Sequence, residues 1–173
     1  MDSYEVIQRE LVTFIRGMHH AAAAIKVPDA PTLERPAFAL MMWVREVGEL
    51  RLSALAEQVQ VDVSTASRQV AALEHAGWMT RERDTEDRRA WRVRLTEEGE
   101  RVLAANKRAR HEALRAALAD WTEDERQTFG RLLAQLNQSY GALRARIAAG
   151  HPVQAGLVAK AAQTTGTTVK EMP

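Results

Sequence analysis

The stretch RERDTEDRRAWRVRLT, residues 81–96, concentrates arginine in a chain whose formal net charge is only +1. It holds six arginines and four acidic residues. A planar guanidinium binds phosphate oxygens and guanine edges through paired hydrogen bonds, so arginines grouped in this way are typical of a nucleic-acid-binding surface. A solvated charged loop is the bland alternative. The choice depends on the elements that position these side chains.

Strand-like alternation surrounds the arginines. Trp91, Val93 and Leu95 alternate with polar residues, which predicts a strand with one basic face. Residues 78–83 are its predicted partner, and residues 84–90 are the connection. We therefore expect a protruding hairpin, or wing.

Within this hairpin the acids have a predicted task. Asp87 lies two residues before Arg89, a spacing at which its carboxylate could hold the guanidinium in place before DNA binds. Arg83, Arg88 and Arg92 are then expected to contact mostly phosphates.

Two short helices are predicted just before the hairpin. Ser53 is a candidate N-cap for a helix over residues 54–59, and Asp62 for a helix from Val63 to about His75. Small polar side chains begin the second helix, which would let its N-terminus enter a major groove, while Val70 and Leu73 would anchor it. The predicted DNA contacts before the wing are Ser53, Ser64, Thr65, Ser67, Arg68 and Gln69.

Residues 51–103 resemble the core of the MarR family of bacterial transcription regulators. The D-x-R of Asp87 and Arg89, followed by a strand ending in LTEEG, carries the resemblance. It implies a homodimer that binds a pseudo-palindromic operator, most often as a repressor. Position by position, it places Ser64, Thr65, Ser67 and Arg68 in the major groove and Arg89, braced by Asp87, in the minor groove.

The predicted fold is mainly α with a small β-hairpin, a winged helix-turn-helix flanked by dimerisation helices. We expect an N-terminal dimerisation helix and loop over 1–36 and a DNA-binding domain over 37–96. Two long C-terminal helices are predicted within 97–149. The first ends near residue 120, and the second begins after a capping box formed by Thr122 and Glu125. A flexible tail is predicted over 150–173.

Apolar residues at helical spacing support a dimer independently of the resemblance, because the small winged domain could not cover both terminal stripes. Alternatively, the N-terminal and C-terminal apolar stripes could pack on each other within one chain. The predicted dimer contacts are Ile7, Leu11, Phe129, Leu132, Leu136, Tyr140 and Leu143.

Many family members respond to phenolic or anionic lipophilic ligands. The resemblance therefore implies an effector crevice beside the winged domain, suited to an aromatic carboxylate or phenolate, although its apolar members could simply be core. The candidate lining residues are Arg16, His19, His20, Met41, Met42, Trp43 and Arg45.

Other functions find little support in the sequence. Glycine-rich phosphate loops and hydrolase motifs are absent from it, so an enzyme is not expected, and neither a cofactor nor a metal site is predicted. There is no cysteine, which excludes a thiol-based sensor. No apolar run could span a bilayer, and cytoplasmic residence is the default expectation. A winged module that binds a protein partner, or a DNA-binding regulator without an effector, remains an alternative.

Overall fold

Residues 2–151 are described by the computed structural model, apart from the side chains of residues 19–23. The predicted ligand contacts His19 and His20 are thus among the side chains that are not described. Of the predicted tail, only residues 150 and 151 are described. The elements are α1 (Ser3–Ala24), α2 (Arg35–Val47), β1 (Leu50–Arg51), α3 (Leu52–Val59), α4 (Val63–His75), β2 (Met79–Arg83), β3 (Trp91–Leu95), α5 (Glu97–Ala117) and α6 (Glu123–Ala148). One compact unit ends at Ala119, and α6 belongs to a second unit that begins at Asp120.

Side-chain caps explain several helix boundaries that the sequence predicted. The Asp62 carboxylate accepts from the Thr65 N–H at 2.8 Å, which confirms α4's N-cap. Thr122 and Glu125 form the predicted capping box at the start of α6. These contacts satisfy N–H groups that have no partner within the first turn.

The predicted N-cap at Ser53 is wrong. Helix α3 begins at Leu52, and its N-cap is Arg51, whose side chain makes no capping bond. Arg51 is still paired with Arg92 in the sheet, so the chain passes from strand to helix without an intervening residue. The apolar residues after Pro36 predict a helix from Ala37 to about Val47, whereas α2 begins two residues earlier, at Arg35, because Pro36 is tolerated in a first helical turn.

A three-stranded antiparallel sheet, in the order β1-β3-β2, forms the body of the hairpin. Met79 is paired with Leu95 and Arg83 with Trp91, while Leu50 of β1 pairs with Val93. Both predicted strands are confirmed. The central strand β3 links the hairpin to the segment that precedes α3.

The hydrophobic core lies in the first unit and joins helices α2 to α5 with the sheet. Val70 and Leu73 are buried, which confirms their predicted anchoring of α4. Asn106 ties the loop before α2 to α5: its Oδ1 accepts from the Leu33 N–H at 2.8 Å, and its Nδ2 donates to the Pro31 carbonyl at 2.8 Å.

Gly99 permits a close approach between α5 and the start of the hairpin. A Cβ atom at this position would lie 1.9 Å from the Trp78 carbonyl oxygen. That oxygen accepts from the Thr96 N–H at 3.1 Å, so moving the two backbones apart would break this hydrogen bond. The first turn of α5 is thus packed directly on the chain that enters β2.

The helical spacing of apolar residues predicts that Leu114 and Trp121 point inward, and the structure contradicts this prediction. Leu114 and Trp121 are exposed, and Trp121 makes an edge-to-face contact with Phe129 in the second unit, at 5.4 Å between ring centroids. Among the described residues, no helix is long and apolar enough to cross a membrane.

Candidate nucleic-acid interface

The first turn of α4 presents a compact network of short polar side chains. The Thr65 hydroxyl donates to the Asp62 carboxylate at 2.7 Å, and the Ser64 hydroxyl donates to the same carboxylate. Arg68 Nη2 in turn donates to Thr65 Oγ1 at 3.0 Å. The hydrogen bonds from Ser64 and Thr65 hold the pKa of Asp62 well below its ordinary value. The network therefore orients Arg68 on an exposed helix end.

At the wing, the predicted contact between Asp87 and the Arg89 guanidinium is wrong in its atoms. The Asp87 carboxylate accepts from the backbone N–H of Arg89 at 3.0 Å instead. The Asp87 carbonyl also accepts from the Ala90 N–H at 2.8 Å. Asp87 therefore shapes the turn, because a short Asp side chain reaches a backbone N–H two residues on more readily than it reaches a guanidinium.

Asp84, which the sequence analysis missed, is the central acid of the wing. It is 2% exposed. Its carboxylate accepts from Arg51 Nε at 2.9 Å and from the backbone N–H groups of Glu86 and Asp87 at 2.9 and 3.0 Å. Arg92 Nη1 lies 3.5 Å away.

The hydrogen bond from Arg51, followed by those from the backbone N–H groups, holds the pKa of Asp84 well below its ordinary value. One sequence signal pointed to this role. Asp84 opens the turn DTED, and Asp at the first position of a turn commonly accepts from the N–H two residues on. Its arginine partners come from two other strands, and no local pattern indicates them.

Two arginines predicted to contact phosphates are engaged within the protein. Arg92 Nε pairs with Glu49 Oε1 at 2.5 Å in addition to its contact with Asp84. Arg83 Nη1 donates to the Arg88 carbonyl at 2.9 Å. Arg83 at the end of β2 lies beside a carbonyl of the wing turn, and Arg92 on β3 lies beside Glu49, which precedes β1.

Arg88 and Arg89 differ from them. Both are exposed, and within residues 2–151 neither guanidinium makes a hydrogen bond or an ion pair. They lie on a turn whose backbone is held by Asp84 and Asp87. Exposed, fully charged groups on an ordered turn can bind phosphates or enter a groove at little cost in backbone entropy. Ser53 is exposed on α3, and Ser67 and Gln69 are half-buried on α4.

A separate apolar cavity of about 760 Å³ lies in the first unit between α1, α2 and α5. Its lining residues are Phe14, Gly17, Met18, Ile25, Arg35, Phe38, Ala39, Met42, Trp43, Glu46, Arg110, Ala113, Leu114 and Ala117.

Met42 and Trp43 were predicted to line such a cavity and do so, whereas Arg16 and Arg45 are not among its lining residues. Arg45 pairs with Glu100 at 2.9 Å. Met41 is fully buried in the core, because adjacent residues on a helix point about 100° apart and Met41 therefore faces away from the cavity that Met42 lines.

Three charged residues that line the cavity were not predicted: Arg35, Glu46 and Arg110. Arg110 is partly buried. Its guanidinium lies 4.2 Å from the Phe38 ring centroid, and its Nη2 donates to the Leu33 carbonyl at 2.8 Å. Partial burial lowers the pKa of Arg110, although a guanidinium stays protonated throughout the working pH range. The cavity therefore combines apolar walls with two arginines and one glutamate, and the bond to the Leu33 carbonyl fixes the Arg110 guanidinium.

Two short helices that pack on a sheet, followed by a basic hairpin, define a winged helix-turn-helix protein. The model of the MarR family matches residues 33–91. The uncharacterised HTH-type transcriptional regulator YxaD of Bacillus subtilis is 35% identical over 136 residues, which cover 79% of this chain and 94% of YxaD. The chain belongs to the MarR family, and it is a transcription regulator with the helix-turn-helix fold.

Solved structures agree with this fold. A MarR family protein from Bacillus stearothermophilus matches with a TM-score of 0.70 and 25% identity, over 82% of this chain and 99% of that protein. FabT of Streptococcus pneumoniae, solved in complex with DNA, matches with a TM-score of 0.68 and 18% identity, over 82% of this chain and 99% of FabT. The expected family and fold class are confirmed.

The low pKa of Asp84 predicts a specific acid sensitivity. Folding keeps this carboxylate ionised at pH values where the unfolded chain, with an Asp pKa of about 3.9, is protonated. Its contribution to stability is thus present above about pH 4 and is lost as the pH falls towards the folded pKa. Urea unfolding of wild type and Asp84→Asn between about pH 6 and pH 3 should show a shallower decline of the unfolding free energy in the variant.

Glu82→Gln, which removes an exposed carboxylate from β2, is the matched control for the change in net charge. Parallel pH dependence in wild type and Asp84→Asn would contradict the assignment of Asp84 as an ionised, folded-state acceptor.

Proposed function

We propose that this protein is a homodimeric repressor that binds a pseudo-palindromic DNA operator and is released by a small aromatic or anionic ligand. The observation that carries the DNA-binding part is the pair of exposed guanidinium groups of Arg88 and Arg89 on an ordered wing turn. Family membership makes DNA the partner that fits this surface. FabT, whose fold the chain shares, was solved in complex with DNA.

In the proposed complex, α4 enters the major groove. Arg68, held by Thr65, is placed to bind a guanine edge or a phosphate, and Ser67 and Gln69 lie beside it. Ser64 and Thr65 donate their hydroxyl protons to Asp62, so they offer lone pairs to DNA. The amino groups of adenine and cytosine are the base donors that suit such acceptors.

The wing binds the adjacent minor groove in this proposal. Arg89 enters the groove and Arg88 contacts a flanking phosphate, because a protruding turn can reach the backbone on either side. Arg92 has a smaller share in DNA binding than the sequence indicated, since it is paired with Glu49 and Asp84. Ser53 is proposed as a phosphate contact from α3.

A second copy of the chain is the proposed partner of the apolar helix faces. Ile7 on α1 and Leu132 and Tyr140 on α6 are each about half exposed, at 51%, 50% and 52%. Contiguous exposed apolar side chains on a helix mark an interaction surface. The other predicted contacts on these faces are Leu11, Phe129, Leu136 and Leu143. Two-fold symmetry would set the two α4 helices roughly 34–36 Å apart, one DNA turn.

The cavity between α1, α2 and α5 is the proposed effector site. Its volume of about 760 Å³ lies in the range of small-molecule pockets. Its charged lining residues are Arg35, Glu46 and Arg110, and the Arg110 guanidinium is held by the Leu33 carbonyl. An aromatic carboxylate would stack on Trp43 or Phe38 and place its charge near Arg110. Because α2 also packs on α3 and α4, a ligand wedged against α2 would bias the placement of the DNA-binding helices.

DNA binding is tested with fluorescence anisotropy on DNA that flanks the protein's own gene, at two salt concentrations. Arg68→Ala and Arg89→Ala should each weaken binding by about 1–3 kcal/mol while leaving the melting temperature nearly unchanged. Arg108→Ala, which removes an exposed arginine from α5, is the matched control. Weak binding that does not depend on DNA sequence or salt and is unchanged in both variants would favour a winged module that binds a protein partner.

The homodimer predicts that a charge placed on the apolar face of α6 separates the subunits. Leu132→Glu should weaken the dimer by roughly 3 kcal/mol or more, about a hundredfold or more in its dissociation constant, because it buries an unpaired carboxylate. Sedimentation equilibrium measures this shift. Gln138→Glu, on the polar side of the same helix, should leave the dimer intact. A monomeric wild type, or no difference between the variants, would contradict the proposal.

The effector proposal is tested with 4-hydroxybenzoate and its neutral analogue 4-hydroxybenzamide. At a hundred times its dissociation constant, the carboxylate should add about 2.7 kcal/mol to the unfolding free energy and so raise the melting temperature. It should also release DNA. The amide should bind more weakly because it lacks the charge that Arg110 attracts. Ala113→Phe, which fills the cavity, should abolish both effects but keep DNA binding. If no aromatic acid shifts either property, the protein is a regulator without such an effector.

A further inference from the structure

The strand register places an indole ring among the arginines of the wing. Arg83 on β2 is paired with Trp91 on β3, and Arg81 lies two residues before Arg83 on the same face of the strand. The Arg83 guanidinium carbon lies 4.0 Å from the Trp91 ring centroid, and that of Arg81 lies 5.1 Å away. Both distances fall within the range of cation–π contacts. We call these three residues the Arg–Trp stack.

Each end of the stack is bonded to a different DNA-binding element. Arg81 Nε pairs with Glu74 Oε2 of α4 at 2.8 Å. Arg83 Nη1 donates to the carbonyl of Arg88 at 2.9 Å. A continuous chain of contacts thus runs from the last turns of α4, through Trp91, to the tip of the wing.

The carbonyl at the far end belongs to the peptide unit that joins Arg88 to Arg89. Holding this carbonyl restricts the orientation of the peptide from which Arg89 starts. The Arg89 N–H on the same peptide is fixed from the other side by Asp87. An element ordered before binding loses less entropy when the complex forms.

We propose that Arg83 and Trp91 are positioning residues, which set the place of Arg89 relative to α4 before DNA is bound. This inference rests on the proposed minor-groove contact of Arg89. It assigns to Arg83 a role different from the phosphate contact that its charge indicates. Arg83 acts through its planar stacking and its bond to the Arg88 carbonyl.

Charge and geometry make different predictions for two substitutions. Arg83→Lys keeps the charge, so a phosphate contact would survive it, whereas the stacked and directed guanidinium would be lost. Trp91→Leu removes no charge but eliminates the surface on which Arg83 lies. If positioning is the role, both variants weaken operator binding.

The test is a double-mutant cycle measured by fluorescence anisotropy with operator DNA. Arg83→Lys and Trp91→Leu should each weaken binding about tenfold in the wild-type background and less than about twofold in the Arg89→Ala background. Trp91→Phe, which keeps an aromatic face, should restore most of the affinity. Arg94→Lys is the matched control, because Arg94 lies on the opposite face of the same hairpin, paired with Glu82.

A second measurement does not depend on DNA. The Ala90 N–H, bonded to the Asp87 carbonyl in the wing turn, should exchange with solvent about tenfold faster in Arg83→Lys and Trp91→Leu, but not in Arg94→Lys. Amide exchange followed by NMR on the free, full-length dimer measures this. Unchanged exchange in Arg83→Lys and Trp91→Leu would overturn the proposed hold on the wing tip, even if both variants weaken DNA binding.

The outcomes separate the inference from the function on which it rests. Wild-type affinity in Arg83→Lys, or equal losses in both backgrounds, would overturn the positioning role and restore a direct contact. An Arg89→Ala variant that binds like wild type would contradict the proposed groove contact itself. In that case faster exchange at Ala90 would still support the stack as the support of the wing turn, and unchanged exchange would overturn it.

Discussion

The wing depends on one buried carboxylate. Asp84 accepts from Arg51 at the start of α3 and from two N–H groups of the wing turn, and it lies near Arg92 of the central strand. A buried charge is costly unless it is paired and hydrogen-bonded, and here both conditions hold. The loss of one of these partners would leave the buried carboxylate incompletely paired, so the turn, β3 and the start of α3 stabilise one another through Asp84. The base of the wing and the helix-turn-helix are therefore one structural element.

Arginines in and around the wing differ in whether they are paired with acids. Arg51, Arg92 and Arg81 are paired with acids of other segments and hold the hairpin in place. Arg88 and Arg89 have no such partner among the described residues and remain exposed. The acids of the wing thus support the scaffold, and the arginines that lack an acidic partner lie at its tip.

The apolar surfaces of the molecule divide in a similar way. The core of the first unit is covered by α2 to α5 and the sheet, whereas the faces of α1 and α6 carry large side chains that one chain leaves exposed. Between α1, α2 and α5 the packing leaves a cavity whose charged lining residues are Arg35, Glu46 and Arg110. α2 lines this cavity and also packs on α3 and α4, so it connects the proposed effector site to the helices that are proposed to bind DNA.

The amino-acid sequence by itself determined the elements, because helix caps, apolar periodicity and strand alternation are local. Asp62, the capping box at Thr122 and the strand from Trp91 to Leu95 were all predictable. Only the tertiary structure decided which arginines remain available. Asp84 meets Arg51 from 33 residues away, and Arg92 meets Glu49 from 43. Such pairings depend on how β1 joins the hairpin, and side-chain spacing along one strand carries no information about a partner that the fold brings from another.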